Sequence, residues 1–250
     1  ALKRFLIYFK SVPICSIDNE AVIAYTTDFI LKGGLSSSFQ NQTVNSLKLF
    51  FRTIENKSIV IEKIHRPRRE KLLSNVLSKE EIKLILEVNS NIKHKAMLSL
   101  IYSCGLRRSE LLNLKLGDID SKRGIVFIRQ SKGKKDRITP LSEKILALLR
   151  IYFIDYRPQT YLFEGQSGNC KYSERSLEEV LKKSIKLAGI NKPVTLHWLR
   201  HSYATHLLES GTDLRFIQEL LGHSSSRTTE IYTHVSTKSI QQIKSPFDDL

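Results

Sequence analysis

The chain has 250 residues, of which 41% are hydrophobic, and its formal net charge is +15 with a pI near 9.7. This composition provides a core for one large or two modest domains, and it excludes a wholly disordered chain. The charge predicts a polyanionic partner, although a basic protein without one is the alternative. No apolar run has the length of a transmembrane helix, which speaks against a membrane as that partner.

The cysteines and the glycine patterns limit the chemistry further. Cys15, Cys104 and Cys170 lie far apart and form no C-x-x-C pair, so we expect reduced thiols in a cytosolic protein. The sequence contains neither of the glycine-rich phosphate-binding patterns, G-x-x-x-x-G-K-[ST] and G-x-G-x-x-G. We therefore expect no nucleotide cofactor.

The first part of the chain predicts a small helical domain over residues 1–60. An apolar-periodic run is already under way at Ala1, so we expect that an N-terminal piece is lacking. A second helix is predicted from about Asn19 to Lys32, and a third from about Gln40 to Ile54. On the third helix Lys48 and Arg52 stand one turn apart and mark its outer face.

A basic linker is predicted at 61–77, where the helical pattern breaks around Pro67. It contains the cations Lys63, Arg66, Arg68, Arg69 and Lys71. Ser78 and Glu81 then form a capping box, which begins a second domain at 78–250.

The second domain reads as mainly helical with a small antiparallel sheet. Strands are predicted over Ile125–Arg129 and Arg137–Leu141, and a further short strand over Tyr161–Phe163. Helices are predicted over Ser78–Val88, Ile92–Ser103, Ser109–Leu114, Ser142–Asp155, Ser173–Ala188, Thr195–Ser210, Asp213–Leu221 with Thr212 as N-cap, and Lys238–Lys244.

One helix and two following turns concentrate residues suited to chemistry on an anion. His197, Arg200 and His201 stand at i, i+3 and i+4 and share one helical face. His223 follows the next helix, and Tyr232 comes shortly after it. Arginine binds phosphate oxygens with paired donors, histidine can move a proton, and tyrosine can be a covalent nucleophile.

A zinc site is the rival interpretation of the histidines. His197 and His201 at i and i+4 could both bind a metal. Arg200 beside them would repel a cation, and no cysteine or carboxylate lies nearby in the sequence. We therefore predict no metal here.

Several motifs together resemble the tyrosine recombinases, the family of phage-type integrases and Xer-type recombinases. They are His197-Trp198-Leu199-Arg200-His201, Leu221-Gly222-His223, Tyr232, and the upstream box Gly105-Leu106-Arg107-Arg108-Ser109-Glu110-Leu111. Between the boxes, Ser131-Lys132-Gly133-Lys134-Lys135-Asp136-Arg137 matches the lysine-bearing hairpin of the family. The resemblance is firm from about Leu77 onward.

This resemblance implies a two-domain DNA clamp with an α-helical, SAM-like core-binding domain and an α+β catalytic domain. It implies that Tyr232 forms a 3′-phosphotyrosine link and that Lys132 protonates the departing 5′ oxygen. The implied catalytic set is Arg107, Lys132, His197, Arg200, His223 and Tyr232. Arg107 and Arg200 form the predicted phosphate clamp, while Glu110 and His201 support the catalytic side chains.

The predicted partners are double-stranded DNA and further copies of the chain, as a dimer on one site and a tetramer in synapsis. Phosphate contacts are predicted for Lys48, Arg52, Arg66, Arg68, Arg69, Lys134, Lys135 and Arg137. No cofactor is expected, and the resemblance suggests a bacterial, nucleoid-associated protein. The alternatives are a type IB topoisomerase, which relaxes DNA through a similar set of residues, and a non-catalytic DNA-binding relative.

Overall fold

The computed structural model describes residues 1–31, 33–55, 75–129, 136–166, 168–223, 227–230 and 232–233. The chain divides into two units, Ala1–Leu72 and Leu73–Leu250. Their secondary structure is mostly helical with one small antiparallel sheet, which confirms the predicted fold class. Most of the predicted linker lies outside the described residues, so the domain boundaries stay a prediction.

In the first unit the described residues form three α-helices. They are α1 (Leu2–Tyr8), α2 (Asn19–Ala24) and α3 (Ser37–Ile54). The helix predicted from about Asn19 to Lys32 is present to Leu31, but its winding changes from α-helical to π-helical over Tyr25–Leu31. Aromatic rings fill the core of this unit: Phe5 meets Tyr25 and Phe51 edge to face, at centroid distances of 5.1 and 5.9 Å.

The faces of α3 are as its periodicity predicts. Leu47 and Phe51 are buried, whereas Lys48 and Arg52 are exposed. The two cations therefore remain accessible for the predicted phosphate contacts.

In the second unit the described residues form eight further α-helices and three strands. Its elements are α4 (Lys79–Glu87), α5 (Ile92–Cys104), α6 (Arg108–Asn113), β1 (Ile119–Asp120), β2 (Ile125–Ile128), β3 (Arg137–Pro140), α7 (Glu143–Tyr156), α8 (Glu174–Leu187), α9 (Leu196–Glu209), α10 (Leu214–Leu221) and α11 (Arg227–Glu230). Strand β1 was not predicted from the sequence. The predicted strand Tyr161–Phe163 is wrong, since this segment makes a single bridge, from Tyr161 to Lys115.

Helix α5 is the centre of the second unit. Its first turn carries Lys93, His94 and Lys95, but every side chain from Ala96 to Ile101 is buried, as expected for a helix surrounded by others. It packs against α7 on one side and α9 on another. The position of α9, which carries the predicted catalytic residues, is thus set by the core.

The sheet follows the order β1-β2-β3 and is antiparallel throughout. Alternate residues of β2 point into the core, with Val126 and Ile128 buried. The register pairs Ile128 with Arg137, so the lysine-rich loop starts and ends at this pair.

Local capping explains where the helices begin and end. Ser78 and Glu81 form the predicted capping box of α4. The predicted N-cap of α10 is wrong by one residue: Asp213, not Thr212, accepts the hydrogen bond from the amide of Arg215. Gly105 ends α5 and Gly222 ends α10, both in left-handed conformation at φ +58° and +60°.

A buried hydrogen bond fixes the start of the second unit on α9. The amide of Leu77 donates to the hydroxyl of Ser202 at 2.9 Å, and Ser202 is fully buried.

No helix within the described ranges is long and apolar enough to cross a membrane.

The Gly105 turn is expected to tolerate no side chain. A Cβ there would lie 2.6 Å from Cδ1 of Tyr203, in addition to the cost of the left-handed backbone. Gly105→Ala should therefore lower the free energy of unfolding by about 3 kcal/mol, from ~1–2 for the backbone and ~1–3 for overpacking. Urea denaturation measures this loss.

Gly189→Ala is the matched control. Gly189 has φ +68°, but a Cβ there meets nothing within 4 Å. It should lose only the backbone term of about 1–2 kcal/mol. Equal losses at Gly105 and Gly189 would show that the contact with Tyr203 costs nothing.

Candidate active site

One helix and three turns bring five of the six predicted catalytic residues together in the second unit. Arg107 precedes α6, His197 and Arg200 lie on α9, His223 follows α10, and Tyr232 follows α11. The sixth, Lys132, lies outside the described residues. Hydrogen bonds and ring contacts through Glu110 and His201 join the five into one cluster.

Arg200 lies at the centre of this cluster and is only 1% exposed. Its Nη1 donates to the carbonyl oxygen of Gly105, and its Nη2 donates to the carbonyl oxygen of Leu221. Its Nε is buried without a hydrogen-bond partner among the described residues. Burial and the charge of Arg107 lower the pKa of Arg200 to about 9, so the guanidinium is still charged at neutral pH.

Arg107 is held from the inside and is open on its outer side. Its side chain is 21% exposed, and its Nη1 donates to Oε1 of Glu110 at 2.7 Å. The backbone amide of Arg107 donates to Oε2 of the same carboxylate, also at 2.7 Å. The ion pair predicted from the spacing of Arg107 and Glu110 is thus present.

The contacts of His223 define its tautomer. Arg200 can only donate, so Nε2 of His223 accepts from Nη2 of Arg200 at 3.2 Å. The proton of the neutral ring then sits on Nδ1, which donates to Oγ1 of Thr229 at 2.9 Å. Burial, followed by Arg200 and Arg107, lowers the pKa of His223 to about 3, so the ring is neutral at pH 7.

Tyr232 is 1% exposed, and its hydroxyl lies 3.0 Å from Nδ1 of His201. Burial raises the pKa of this hydroxyl, and the charges of Arg200 and Arg107 oppose that shift. Burial, with His197 and Arg200, lowers the pKa of His201 to about 4. The nucleophile predicted from the sequence is therefore a neutral phenol beside a neutral imidazole.

His197 stands at the outer edge of the cluster. Its ring meets the ring of His201 edge to face at a centroid distance of 4.2 Å. The residue is exposed. Partial burial of the ring lowers the pKa of His197, and the nearby charges of Arg200 and Arg107 lower it further.

A cavity of about 520 Å³ opens beside Arg107 and His197. Its wall includes Ser109, Lys182 and Thr195. The most exposed arginine and the most exposed histidine of the cluster therefore face the same open space. Arg200, His223 and Tyr232 do not line this cavity, so it borders the cluster on one side, at Arg107 and His197.

The structure differs from the expectation for Arg137. The sequence predicts a phosphate contact, but the Arg137 side chain is 7% exposed and pairs with Glu110 at 2.7 Å. Lys134, Lys135, Arg66, Arg68 and Arg69 lie outside the described residues, so their predicted phosphate contacts stay predictions.

Thr229 and the backbone acceptors around Arg200 were not among the residues predicted from the sequence. Thr229 is fully buried and orients His223. Its position six residues after His223 was the available signal. The carbonyl groups of Gly105 and Leu221 could not be assigned, because any residue type provides the same acceptor.

The arrangement supplies charge stabilisation, hydrogen bonding and a nucleophile. Two guanidinium groups converge where Arg107 and Arg200 approach Glu110, whose Oε2 is 3.7 Å from Nη1 of Arg200. Within the described residues, no group of three or more His, Cys, Asp or Glu side chains could hold a metal ion. The site's own donors are thus arginine, histidine and tyrosine.

The sequence is similar to those of known recombinases. Residues 75–239 match the phage integrase family. The chain is 38% identical to tyrosine recombinase XerA of Pyrococcus horikoshii over 214 residues, covering 84% of this chain and 74% of XerA. It is 32% identical to tyrosine recombinase XerD of Staphylococcus epidermidis over 267 residues, covering 98% and 89%.

Solved structures share the fold. The XerH site-specific recombinase bound to its palindromic difH substrate matches with a TM-score of 0.81 and 25% identity, over 98% of this chain and 77% of XerH. The XerA recombinase crystal structure matches with a TM-score of 0.62 and 30% identity, over 98% and 90%. Since the family match covers well over half of the chain, the chain belongs to the phage integrase family, the tyrosine recombinases.

Proposed function

We propose that the chain is a site-specific DNA recombinase in which Tyr232 attacks a DNA phosphodiester and forms a covalent 3′-phosphotyrosine link. The observation that carries this proposal is the clustering of the Tyr232 hydroxyl with His201, His223 and buried Arg200. It is supported by the fold shared with XerH, which was solved on its DNA substrate.

The phosphate clamp stabilises the charge of the transition state. A phosphodiester gains negative charge when it becomes pentacoordinate, and fixed guanidinium groups offset that gain. Arg107 offers its open side to the non-bridging oxygens. Arg200 acts from the interior, where its unsatisfied Nε and its remaining N–H groups provide the donors.

The proton and electron balance needs no external reagent. The Tyr232 hydroxyl gives its proton to Nδ1 of His201, 3.0 Å away, as its oxygen forms the new bond to phosphorus. The bond from phosphorus to the 5′ oxygen breaks, and that oxygen leaves with a proton from Lys132. The phosphotyrosine ester keeps the energy of the broken bond, so a 5′ hydroxyl from a second duplex can reverse the step. This exchange would integrate, excise or resolve DNA.

The histidines handle the remaining protons and hydrogen bonds. His201, neutral and 3.0 Å from the Tyr232 hydroxyl, is placed to accept its hydrogen bond. His197 faces the open cavity and donates to the phosphate. His223 carries its proton on Nδ1, so donation from Nε2 to the phosphate requires either a protonated ring or a changed tautomer.

The rest of the chain serves DNA binding and assembly in this proposal. Residues 1–60 form the core-binding domain, the 61–77 linker crosses the phosphate backbone, and 78–250 is catalytic. The active assembly is a dimer on one site and a tetramer in synapsis. The protein works at cytoplasmic, nucleoid DNA, and a mobile element is its expected source.

The alternatives are separated by two assays. A type IB topoisomerase would relax a supercoiled plasmid without exchanging two sites, whereas a recombinase exchanges them. A non-catalytic relative would bind DNA without forming a covalent adduct. No observation on the site favours either alternative.

The first test removes the nucleophile. Tyr232→Phe should abolish the covalent adduct on a nicked DNA substrate, while its affinity for that DNA changes little. Tyr203→Phe is the control, since Tyr203 packs on α9 against the Gly105 turn and should still form the adduct. Adduct formation by Tyr232→Phe would assign the nucleophile to another residue.

The second test concerns the general acid. Lys132→Ala should cleave ordinary DNA very slowly but recover on a 5′-phosphorothiolate, because a thiolate leaves without protonation. Lys134→Ala and Lys135→Ala should weaken binding without such rescue. Cleavage of ordinary DNA by Lys132→Ala at the wild-type rate would remove this assignment.

The third test addresses the linker. Charge reversal at Arg68 and Arg69 should weaken binding to all DNA sequences and flatten its salt dependence, because each phosphate contact releases counterions. The slope of log affinity against log salt measures this. An unchanged slope would leave the linker as a tether only.

A further inference from the structure

Arg137 is bound in a way that separates it from the surface cations of the lysine-rich loop. It begins β3, directly after that loop, yet its side chain is only 7% exposed. Its Nη1 and Nη2 donate to the two carboxylate oxygens of Glu110 at 2.7 and 2.8 Å. Its Nε donates to the carbonyl oxygen of Leu220 at 2.7 Å. Both edges of the guanidinium are thus engaged by the protein.

Glu110 is shared between Arg137 and the phosphate clamp. Its Oε1 accepts from Arg107 at 2.7 Å as well as from Arg137, and its Oε2 lies 3.7 Å from Arg200. Three guanidinium groups surround this one carboxylate, and its side chain is 5% exposed. A carboxylate in a buried site attracts any nearby cation strongly. Without Arg137, Glu110 would hold Arg107 more strongly in the ion pair that it already makes and would draw Arg200 closer than 3.7 Å, away from a phosphate.

The contact with the α10 turn adds a second constraint. The side chain of Arg137 passes so close to Gly222 that a Cβ there would lie 3.0 Å from its Cδ. The glycine of the Leu221-Gly222-His223 motif is therefore needed for this passage as well as for its left-handed φ of +60°. Arg137 thereby links Glu110 to the turn that presents His223.

We propose that Arg137 is a positioning residue that occupies both oxygens of Glu110 and fixes the Leu220–His223 turn, so that Arg107 and Arg200 remain directed at the phosphate. The proposal rests on the proposed recombinase function, since it assigns Arg137 a task in the same site. It replaces the predicted phosphate contact of Arg137.

Arg137→Met tests this role, because methionine fills similar space without charge. We expect single-turnover adduct formation to slow on the order of 10²-fold, as small misplacements of catalytic groups do. The dissociation constant for DNA should change less than about threefold, since Arg137 makes no phosphate contact in this proposal. The defect should persist on the 5′-phosphorothiolate substrate, because the impaired group is the clamp and not the acid.

Arg129→Met is the matched control. Arg129 follows β2 at the opposite base of the same loop, and it pairs with Asp118 at 2.7 Å, outside the cluster. It should form the adduct within about threefold of the wild-type rate. A defect equal to that of Arg137→Met would assign the effect to the base of the loop and would overturn the proposal.

Removing Arg137 alone leaves the buried charge of Glu110 without its partner, which destabilises the fold. The double variant Glu110→Gln/Arg137→Met removes both buried charges and so avoids this loss of stability. If Arg137 acts through Glu110, the double variant should be no slower than the slower single variant. Losses that multiply would show independent action. Arg137→Lys, which keeps the charge but loses the fork, should cleave at an intermediate rate.

Two failures remain distinguishable. If the wild-type chain forms no adduct, the recombinase function itself fails. If the wild type forms the adduct but Arg137→Met is equally fast, or is rescued by sulfur, only the positioning role fails. Rescue by sulfur would show that Arg137 acts through the lysine-rich loop.

Discussion

The buried guanidinium of Arg200 is the constraint on which the site depends. A charge at 1% exposure is costly, and hydrogen bonds from both of its Nη groups offset part of that cost. The carbonyl groups that satisfy it come from Gly105 and Leu221, at the ends of two helices. Because both helices end in left-handed glycine turns, their last carbonyls can point at the same group. The site is thus built from helix ends around one cation.

The positive charge of the cluster also affects the pKa values of its histidines. Burial is the largest cause of the lowered pKa values of His201 and His223, to about 4 and about 3, and the arginines add to it. Neutral rings can accept hydrogen bonds. His223 accepts one from Arg200, and His201 is placed to accept one from the Tyr232 hydroxyl. The same charges that favour a phosphate therefore keep proton acceptors available near the nucleophile.

Local rules in the sequence determined much of this protein. The three-residue and four-residue spacings on α9 place His197, Arg200 and His201 on one face, because a helix repeats every 3.6 residues. The capping box at Ser78 and the glycine after α5 set helix boundaries through contacts within a few residues. These features follow from short-range geometry, and the structure has them where the sequence predicts them.

Tertiary structure alone decided which charged side chains are buried and what they touch. The sequence grouped Arg137 with the lysines beside it, but the fold places it on Glu110, which is far away in the chain. It also decided that Thr229 orients His223 and that the Tyr232 hydroxyl meets His201. The distant pairs Arg137–Glu110 and Tyr232–His201 depend on how helices and strands pack, and spacing along the chain does not specify them. The residue types of the site were therefore readable from the sequence, whereas their partners were set by the packing around α5.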